Sequence, residues 1–318
     1  MAQNREVGLE QAVTITMGRI IILSLLGLLA GCQSLPPPHP LMVKGRFLLT
    51  FDDGPSVATG FNPTLAILQQ LENNDVQPGI KAIFFVQTRN SNGGGTPLGK
   101  DIMRLAHKQG HVLGLHSADP AGHVGHMKMT SQELDDSLRN GKSDIRAITG
   151  DDPVFVRPPY WHFNPQVHAL YTNNGLNMLL SDVKAHDGII HVFNFDFFRY
   201  NHILDDLRNV ARAIGRGELL TVEGRIPITV TFHDVNAFTA VHLTEYLHIL
   251  VEAAAAAGLP LDDRPFYDQT PELHEAAKQR AVPQFAHRPL VADNEIHPKE
   301  GLGKKQFKVA NAATDSKN

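Results

Sequence analysis

Cysteine is almost absent from this sequence, with one among 318 residues. A single cysteine excludes an internal disulfide and any cysteine-rich zinc or iron–sulfur site. An excess of basic residues is also lacking, because 29 Lys and Arg stand against 33 Asp and Glu. The formal net charge of −4 argues against a nucleic-acid partner, which would favour a strong basic excess. Histidine is abundant at 17 residues, so a metal site here would use His, Asp and Glu.

The N-terminus carries an apolar run that is too short to cross a membrane. Residues 20–29 are apolar, whereas a spanning helix needs about 20 residues. Arg19 precedes the run, and small residues leading to Cys32 follow it. This order of basic, apolar and small residues is typical of a secretory signal. We therefore expect a signal peptide over residues 1–31.

The sequence around Cys32 resembles the lipobox of bacterial lipoproteins. Residues 29–32 read Leu-Ala-Gly-Cys, and in that motif the cysteine becomes the lipidated first residue of the mature protein. The resemblance implies membrane attachment through lipidated Cys32, followed by a proline-rich linker over residues 32–45. No aspartate follows Cys32, which by the same resemblance favours a cell-envelope location on the outer membrane, facing the periplasm. Met1 and Met17 both remain open as the start.

The central part of the chain alternates short apolar runs with helical patterns. One helix is predicted to begin at Thr130 with Glu133 in a capping box, and another to span about residues 239–257. Alternating units of this kind imply an α/β fold with a parallel sheet, open or closed into a barrel. The folded domain is predicted over residues 46–283, with a polar, loosely packed or disordered tail over 284–318. The predicted strands are 47–51, 82–86, 111–115, 154–156, 176–180 and 228–232.

Polar side chains cluster just past the ends of these predicted strands. They are Asp52 and Asp53, His116, Arg157 and Tyr160, Asp182 and Asp187, and His233 and Asp234. In (β/α) barrels the carboxyl ends of the strands converge on one mouth, where active sites are found. Each group alone has a plainer explanation, since Asp52 to Pro55 would also suit a simple turn. Five such groups at strand ends predict one site.

Taken together, these residues resemble the polysaccharide deacetylase family, the NodB-like carbohydrate esterases. Residues 50–55, Thr-Phe-Asp-Asp-Gly-Pro, match the first family motif in full. The second motif begins at His116, residues 157–160 form the third, residues 182–187 resemble the fourth, and His233 with Asp234 forms the fifth. The resemblance implies a distorted (β/α) barrel for residues 46–283.

The resemblance also implies a metal site. Asp53 and His116 align with two family ligands, but the position of the second histidine, four residues after the first, is Pro120 here. Aligning the downstream helix start places His123 in that role after a three-residue insertion, with His126 as the alternative. The implied ligands of a divalent cation, with zinc preferred, are therefore Asp53, His116 and His123.

Five further residues receive catalytic roles from the resemblance. Asp52 is the implied general base and Arg157 orients it, while the backbone N–H of Tyr160 completes the oxyanion site. His233 is the implied acid that protonates the leaving group, and Asp187 holds its charged form.

The expected function is a metal-dependent hydrolase that removes acetyl groups from N-acetylated sugars of a cell-envelope or extracellular polysaccharide. Two alternatives remain open at this point. One is an O-acetyl carbohydrate esterase on the same scaffold. The other is a lipoprotein that binds glycan without turnover, which the insertion before His123 leaves open.

Overall fold

The structure, a computed structural model, describes residues 43–189 and 197–282. The predicted signal peptide, Cys32, nearly all of the linker and the tail over 284–318 lie outside the described residues. Strand β1 begins at Lys44, within the segment predicted as linker. Across the described ranges, no helix combines the length and the apolar character needed to cross a membrane.

The described ranges contain strands and helices in near-regular alternation. The strands are β1 Lys44–Asp52, β2 Ala82–Gln87, β3 Val112–Ser117, β4 Phe155–Val156, β5 Asn177–Met178, β6 Val183–Lys184, β7 Arg225–His233 and β8 Leu261–Phe266. The helices are α1 Pro63–Glu72, α2 Pro97–Lys108, α3 Ser131–Thr149, α4 Pro165–Asn173, α5 Arg199–Gly215, α6 Ala237–Ala256 and α7 Thr270–Arg280. All six predicted strands are present with shifted ends, whereas β6 and β8 were not predicted.

Strand β1 lies at the centre of a parallel sheet with the order β5-β4-β3-β2-β1-β7-β6. One edge of β1 pairs with β7 over nine residues, ending with Asp52 opposite His233. The other edge pairs first with β8, near Gly45 and Phe47, and then with β2 from Leu49 onward. Because these pairings are parallel, the carboxyl ends of β1, β2 and β7 open on the same edge of the sheet.

The capping box predicted at Thr130 is confirmed and sets the start of α3. The Thr130 hydroxyl accepts from the Glu133 N–H, and the Glu133 carboxylate accepts from the Thr130 N–H at 2.7 Å. These two bonds satisfy donors that a helix start leaves open. Helix α3 ends at Gly150 with φ of 87°, a left-handed conformation that glycine adopts without steric cost.

Alternation along β1 separates two apolar layers. Phe47, Leu49 and Phe51 face the larger core, which packs under the helices. Leu48 lies on the opposite face, in a smaller inner cluster with side chains of β2, β4 and α7. Because side chains two apart share a face, Thr50 and Asp52 continue the inner row beyond Leu48. The inner face of the sheet therefore changes from apolar to polar toward the carboxyl end of β1.

Candidate active site

Adjacent Asp52 and Asp53 reach one site because the chain bends between them. Asp52 is the last residue of β1, and Asp53 has φ of 75°, in the left-handed region. This bend redirects the second carboxylate, which a continuing strand would have placed on the opposite face. Gly54 follows, and a side chain there would collide with the carboxylate of Asp234, 2.0 Å from the added carbon. The turn that residues 52–55 were expected to suit is present, and its bend begins at Asp53.

Asp53, His116 and His123 bring together three atoms of the kind that can bind a metal. The Asp53 Oδ1 atom lies 3.3 Å from His116 Nε2 and 3.5 Å from His123 Nε2. The two Nε2 atoms are 3.2 Å apart. Among the described residues, this is the one group of three or more His, Cys, Asp or Glu residues whose donor atoms lie within 4.8 Å of one another.

The chemistry of this triad fits a divalent cation. His116 Nδ1 lies 2.9 Å from the carbonyl of Arg157, and when it donates there Nε2 is the ring atom left for a cation. Burial lowers the pKa of His116, but Asp53 and Asp52 outweigh this and raise it, so without a cation Nε2 keeps a proton that faces Asp53. Burial lowers the pKa of His123 to about 4, which keeps that imidazole neutral, as a metal ligand must be. Burial works against ionisation of Asp53, but its hydrogen bond to His116 and the nearby histidine charges hold its pKa below the usual value.

His126, the alternative ligand, does not belong to the triad. Its side chain is buried, and Nδ1 bonds the Tyr171 hydroxyl at 2.6 Å. Burial lowers the pKa of His126 to about 3, so its imidazole is neutral as well. The geometry therefore favours His123 over His126 as the third metal-binding side chain.

Asp52 forms a buried ion pair with Arg157. The Arg157 Nη1 atom donates to Asp52 Oδ1 at 2.8 Å and to the Thr50 hydroxyl at 2.6 Å. The Nε atom donates to the carbonyl of Leu179, and the guanidinium lies 4.2 Å from the ring centre of Phe85. The pair is fully enclosed on the arginine side, since Arg157 is 0% exposed. These contacts fix one oxygen of Asp52 in orientation.

His233 is held by Asp187 across the end of β7. The Asp187 carboxylate lies 2.7 Å from His233 Nδ1 and accepts from the His233 backbone N–H at 2.8 Å. It also accepts from the Thr239 hydroxyl at 2.6 Å. Burial lowers the pKa of His233, but the charge of Asp187 outweighs this and raises it to about 10. His233 is therefore an imidazolium whose Nε2 proton is the one left to donate.

Tyr160 lies on a turn with two successive left-handed residues. Its φ is 58°, and that of Trp161 is 61°. The Tyr160 ring stacks on His123 with centroids 4.1 Å apart, and its hydroxyl donates to the His123 carbonyl at 3.0 Å. The turn after β4 thus contacts the inserted loop that carries His123.

One buried group at the site, Gln87, was missed from the sequence, and a second, Asp234, was named without a role. Gln87 ends the apolar strand β2 and donates from Nε2 to Asp53 Oδ1 at 2.9 Å. Asp234 was noted only as the neighbour of His233, yet it accepts from the Thr64 hydroxyl at 2.9 Å beneath Gly54. Burial raises the pKa of Asp234 to about 7. A polar residue at the end of an otherwise apolar strand was the available signal for Gln87.

A protein-family comparison supports the resemblance found in the sequence. The family model with the description polysaccharide deacetylase matches residues 42–179 of this chain. The match includes Asp52, Asp53, His116, His123, Arg157 and Tyr160. It ends before Asp187 and His233; the pairing of β7 with β1 brings His233 to the site, and Asp187 joins it by hydrogen bonds to His233.

Two relatives are similar to parts of this chain. A chitin deacetylase from Pestalotiopsis sp is 28% identical over 217 residues, covering 68% of this chain and 59% of the relative. The peptidoglycan-N-acetylglucosamine deacetylase PgdA of Listeria monocytogenes is 32% identical over 122 residues, covering 38% of this chain and 23% of the relative. The chain therefore spans less than two thirds of the length of these relatives.

The predicted distorted (β/α) barrel is confirmed by solved structures. The chitin deacetylase of the fungal pathogen Colletotrichum lindemuthianum superposes with a TM-score of 0.52 at 21% identity, covering 80% of this chain and 100% of the other. The carbohydrate esterase domain of a multidomain xylanase from the hindgut metagenome of Trinervitermes trinervoides gives 0.50 at 21% identity, covering 77% and 96%. At such identities the likeness concerns the fold alone.

Proposed function

We propose that this protein is a metal-dependent hydrolase that removes acetyl groups from N-acetylated sugars of a cell-envelope or extracellular polysaccharide. The observation that carries the proposal is the meeting of three groups at one end of the sheet. The Asp53, His116 and His123 triad lies beside the Asp52–Arg157 pair. The His233–Asp187 pair adjoins them, because His233 is the cross-strand neighbour of Asp52 between β7 and β1.

The proposed cation is zinc, held by Asp53, His116 and His123. The chemistry that such a cation supplies is Lewis acidity toward a carbonyl oxygen and toward water. Every other step is carried out by the protein's own side chains and backbone. Asp52 takes a proton from the attacking water, and Arg157 keeps one of its oxygens fixed. The backbone N–H of Tyr160 donates to the developing oxyanion.

His233 supplies the proton that an amine needs in order to leave. Its Nδ1 is engaged by Asp187, so Nε2 faces the reaction. Because Asp187 stabilises the imidazolium, the proton is in place before the carbon–nitrogen bond breaks. Amide cleavage depends on this acid more than ester cleavage does, since an amine is the poorer leaving group. The strongly held imidazolium therefore favours N-deacetylation over O-deacetylation.

The named activities of the relatives suggest the substrate class. The Pestalotiopsis and Listeria proteins carry names that refer to chitin and to N-acetylglucosamine of peptidoglycan. We propose a glycan of N-acetylated sugars as the substrate of this protein too.

The decisive experiment measures acetate released from N-acetylglucosamine oligomers by the zinc-loaded protein. Asp52→Asn preserves the size of the side chain and removes the base, so release should fall at least about 100-fold. Asp136→Asn, at an exposed carboxylate on α3, serves as the matched control and should keep full activity. Release from an O-acetylated xylan alone would identify an esterase. Zinc binding without acetate from either substrate would sink the enzymatic proposal and favour a glycan-binding protein.

We further propose that a lipid on Cys32 tethers the protein to the cell envelope, on the outer membrane and facing the periplasm. The lipobox-like residues 29–32 support this proposal. Replacing Cys32 with Ser removes the thiol that would carry the lipid, and membrane fractionation should then recover the protein in the aqueous fraction. Membrane association unchanged by Cys32→Ser would refute the tether.

A further inference from the structure

Gln87 and Asn90 form a relay of side-chain amides that ends on the carboxylate of Asp53. Gln87 Nε2 donates to Asp53 Oδ1 at 2.9 Å, and Asn90 Nδ2 donates to Gln87 Oε1 at 2.8 Å. The Asn90 Oδ1 atom in turn accepts from the backbone N–H of Asn92 at 2.9 Å. Gln87 is 3% exposed, so its amide has little access to water.

The direction of this relay is determined at its far end. An amide side chain can turn over and exchange its donor for its acceptor, whereas a backbone N–H only donates. The Asn92 N–H therefore requires an oxygen from Asn90, which turns the Asn90 NH₂ toward Gln87. The Asn90 donor requires an oxygen from Gln87, which turns the Gln87 NH₂ toward Asp53. If the Gln87 amide were turned over, its Oε1 atom would face the Asp53 Oδ1 atom, and the two oxygens would repel.

The inserted loop that carries His123 packs on the same relay. A side-chain carbon at Gly122 would lie 2.6 Å from both Gln87 Oε1 and Asn90 Nδ2, so only glycine allows this approach. Gly122 has φ of 86°, which glycine also tolerates best. The Ser91 N–H bonds the carbonyl of Pro120 at 3.1 Å, which ties the loop to the segment after β2.

We propose that Gln87, oriented by Asn90, is a positioning residue that presets the Asp53 carboxylate for cation binding. The inference rests on the proposed function, because it concerns the same metal-binding triad. Groups that hydrogen-bond a metal ligand fix its orientation, and losing one lowers metal affinity about 10- to 100-fold. The relay also links the aspartate ligand with the loop of His123.

The test measures zinc affinity by competition with a chromogenic chelator, independently of turnover. Gln87→Met keeps the length of the side chain and removes the donor, so affinity should fall about 10- to 100-fold. Gln77→Met is the matched control: Gln77 is also buried and bonds the backbone of Phe266 through both ends of its amide. Its loss should lower the melting temperature and leave zinc affinity unchanged.

A double-mutant cycle separates orientation from packing. Asn90→Ala alone should weaken zinc binding, because the Gln87 amide is then free to turn over. The same change in the Gln87→Met background should add nothing, since there is no amide left to orient. Equal zinc affinity in Gln87→Met and wild type would overturn the positioning role of Gln87. If both proteins still released acetate, the proposed function would stand. Additive losses would overturn the relay, and a wild type that binds no zinc would overturn both proposals.

Discussion

Two buried arginines at opposite ends of the sheet show different degrees of pairing. Arg46, near the start of β1, is 4% exposed and bonds the Phe266 carbonyl, Asp268 and Glu272. Arg157, at the carboxyl end, is 0% exposed and shares one nitrogen between Asp52 and Thr50. Its Nη2 atom has no hydrogen-bond partner among the residues that the structure describes. Arg46 rests on Tyr267 and Arg157 on Phe85, at 4.5 and 4.2 Å from the ring centres.

This difference indicates that Arg46 contributes to the stability of the fold, whereas Arg157 serves the proposed chemistry. A buried guanidinium that hydrogen-bonds through all three of its nitrogens holds neighbouring elements together, and here Arg46 ties β1 to β8 and α7. A buried donor without a partner has a free-energy cost that the rest of the fold must offset. At Arg157 that cost accompanies the carboxylate of Asp52, the proposed general base. Two histidines show a similar contrast: His111, just before β3, is kept neutral, whereas His233 at the carboxyl end of β7 is kept charged.

Arg46→Met should produce the largest loss of stability. The change leaves Asp268 and Glu272 without their shared cation, and breaking a buried ion pair costs about 3 kcal/mol or more. Urea denaturation should show this decrease in the free energy of unfolding, while kcat per folded molecule stays at the wild-type value. A kcat that falls with stability would show that the two ends are not independent.

Arg157→Lys should have the opposite effect, lowering kcat more than it lowers the free energy of unfolding. Lysine keeps the charge but cannot engage Leu179, Thr50 and Asp52 in one plane. Misplacing the base costs on the order of 100-fold in kcat. Acetate release measures the effect, and zinc affinity from chelator competition serves as the control that should change little. Full activity in Arg157→Lys would remove Arg157 from the proposed mechanism.

Acid should destabilise the protein through His111. This side chain accepts the Ala82 N–H at Nδ1, and burial lowers its pKa to about 3. Because the unfolded chain binds this proton near pH 6.5 and the folded one only near pH 3, the stabilising contribution is lost as the pH falls between these values. The added slope approaches about 1.4 kcal/mol per pH unit.

Denaturation at several pH values tests this assignment. His111→Asn should flatten the slope, whereas His248→Asn, at an exposed histidine on α6, should leave it unchanged. Identical slopes in wild type and His111→Asn would assign the acid sensitivity to other groups.

Tyr160→Phe should have the smallest effect. The change keeps the ring that stacks on His123 and removes one hydrogen bond to its carbonyl. A hydrogen bond of this kind contributes about 0.5–1.5 kcal/mol, so zinc affinity should weaken about two- to tenfold. Tyr267→Phe, a matched change beside Arg46 at the opposite end of the sheet, should leave zinc affinity unchanged. A loss of 100-fold or more would mean that the hydroxyl itself acts in metal binding.

Much of this division was predictable from the sequence. Apolar runs ending in Asp52, His116, Arg157 and His233 located both the strands and their common polar edge, because alternation and strand direction depend on local sequence. Strand β8 was missed because Asp262, Asp263 and Arg264 make it polar. It forms through pairing with the first half of β1, which is a long-range contact.

The details of the site depend on information that residue order does not carry. His123 was assigned by resemblance alone, since the loop path through Gly122 with its left-handed φ has no periodic signal. Gln87 was missed because its role depends on which end of the amide faces Asp53, and that follows from Asn90 and Asn92. The Arg46 network was missed for a similar reason, because its partners lie more than 200 positions away in the chain.

The pairing of β1 with β7 has a consequence for folding during synthesis, because the two strands are far apart in the chain. Asp52 and His233 are direct cross-strand neighbours, although 181 positions separate them. The three side chains of the proposed metal site have all emerged once residue 123 has left the ribosome, but the strand that pairs along the whole of β1 begins only at Arg225. A nascent or truncated chain therefore lacks both the partner of its central strand and the proposed proton donor. The site proposed for hydrolysis is therefore complete only when nearly the whole described domain has been made.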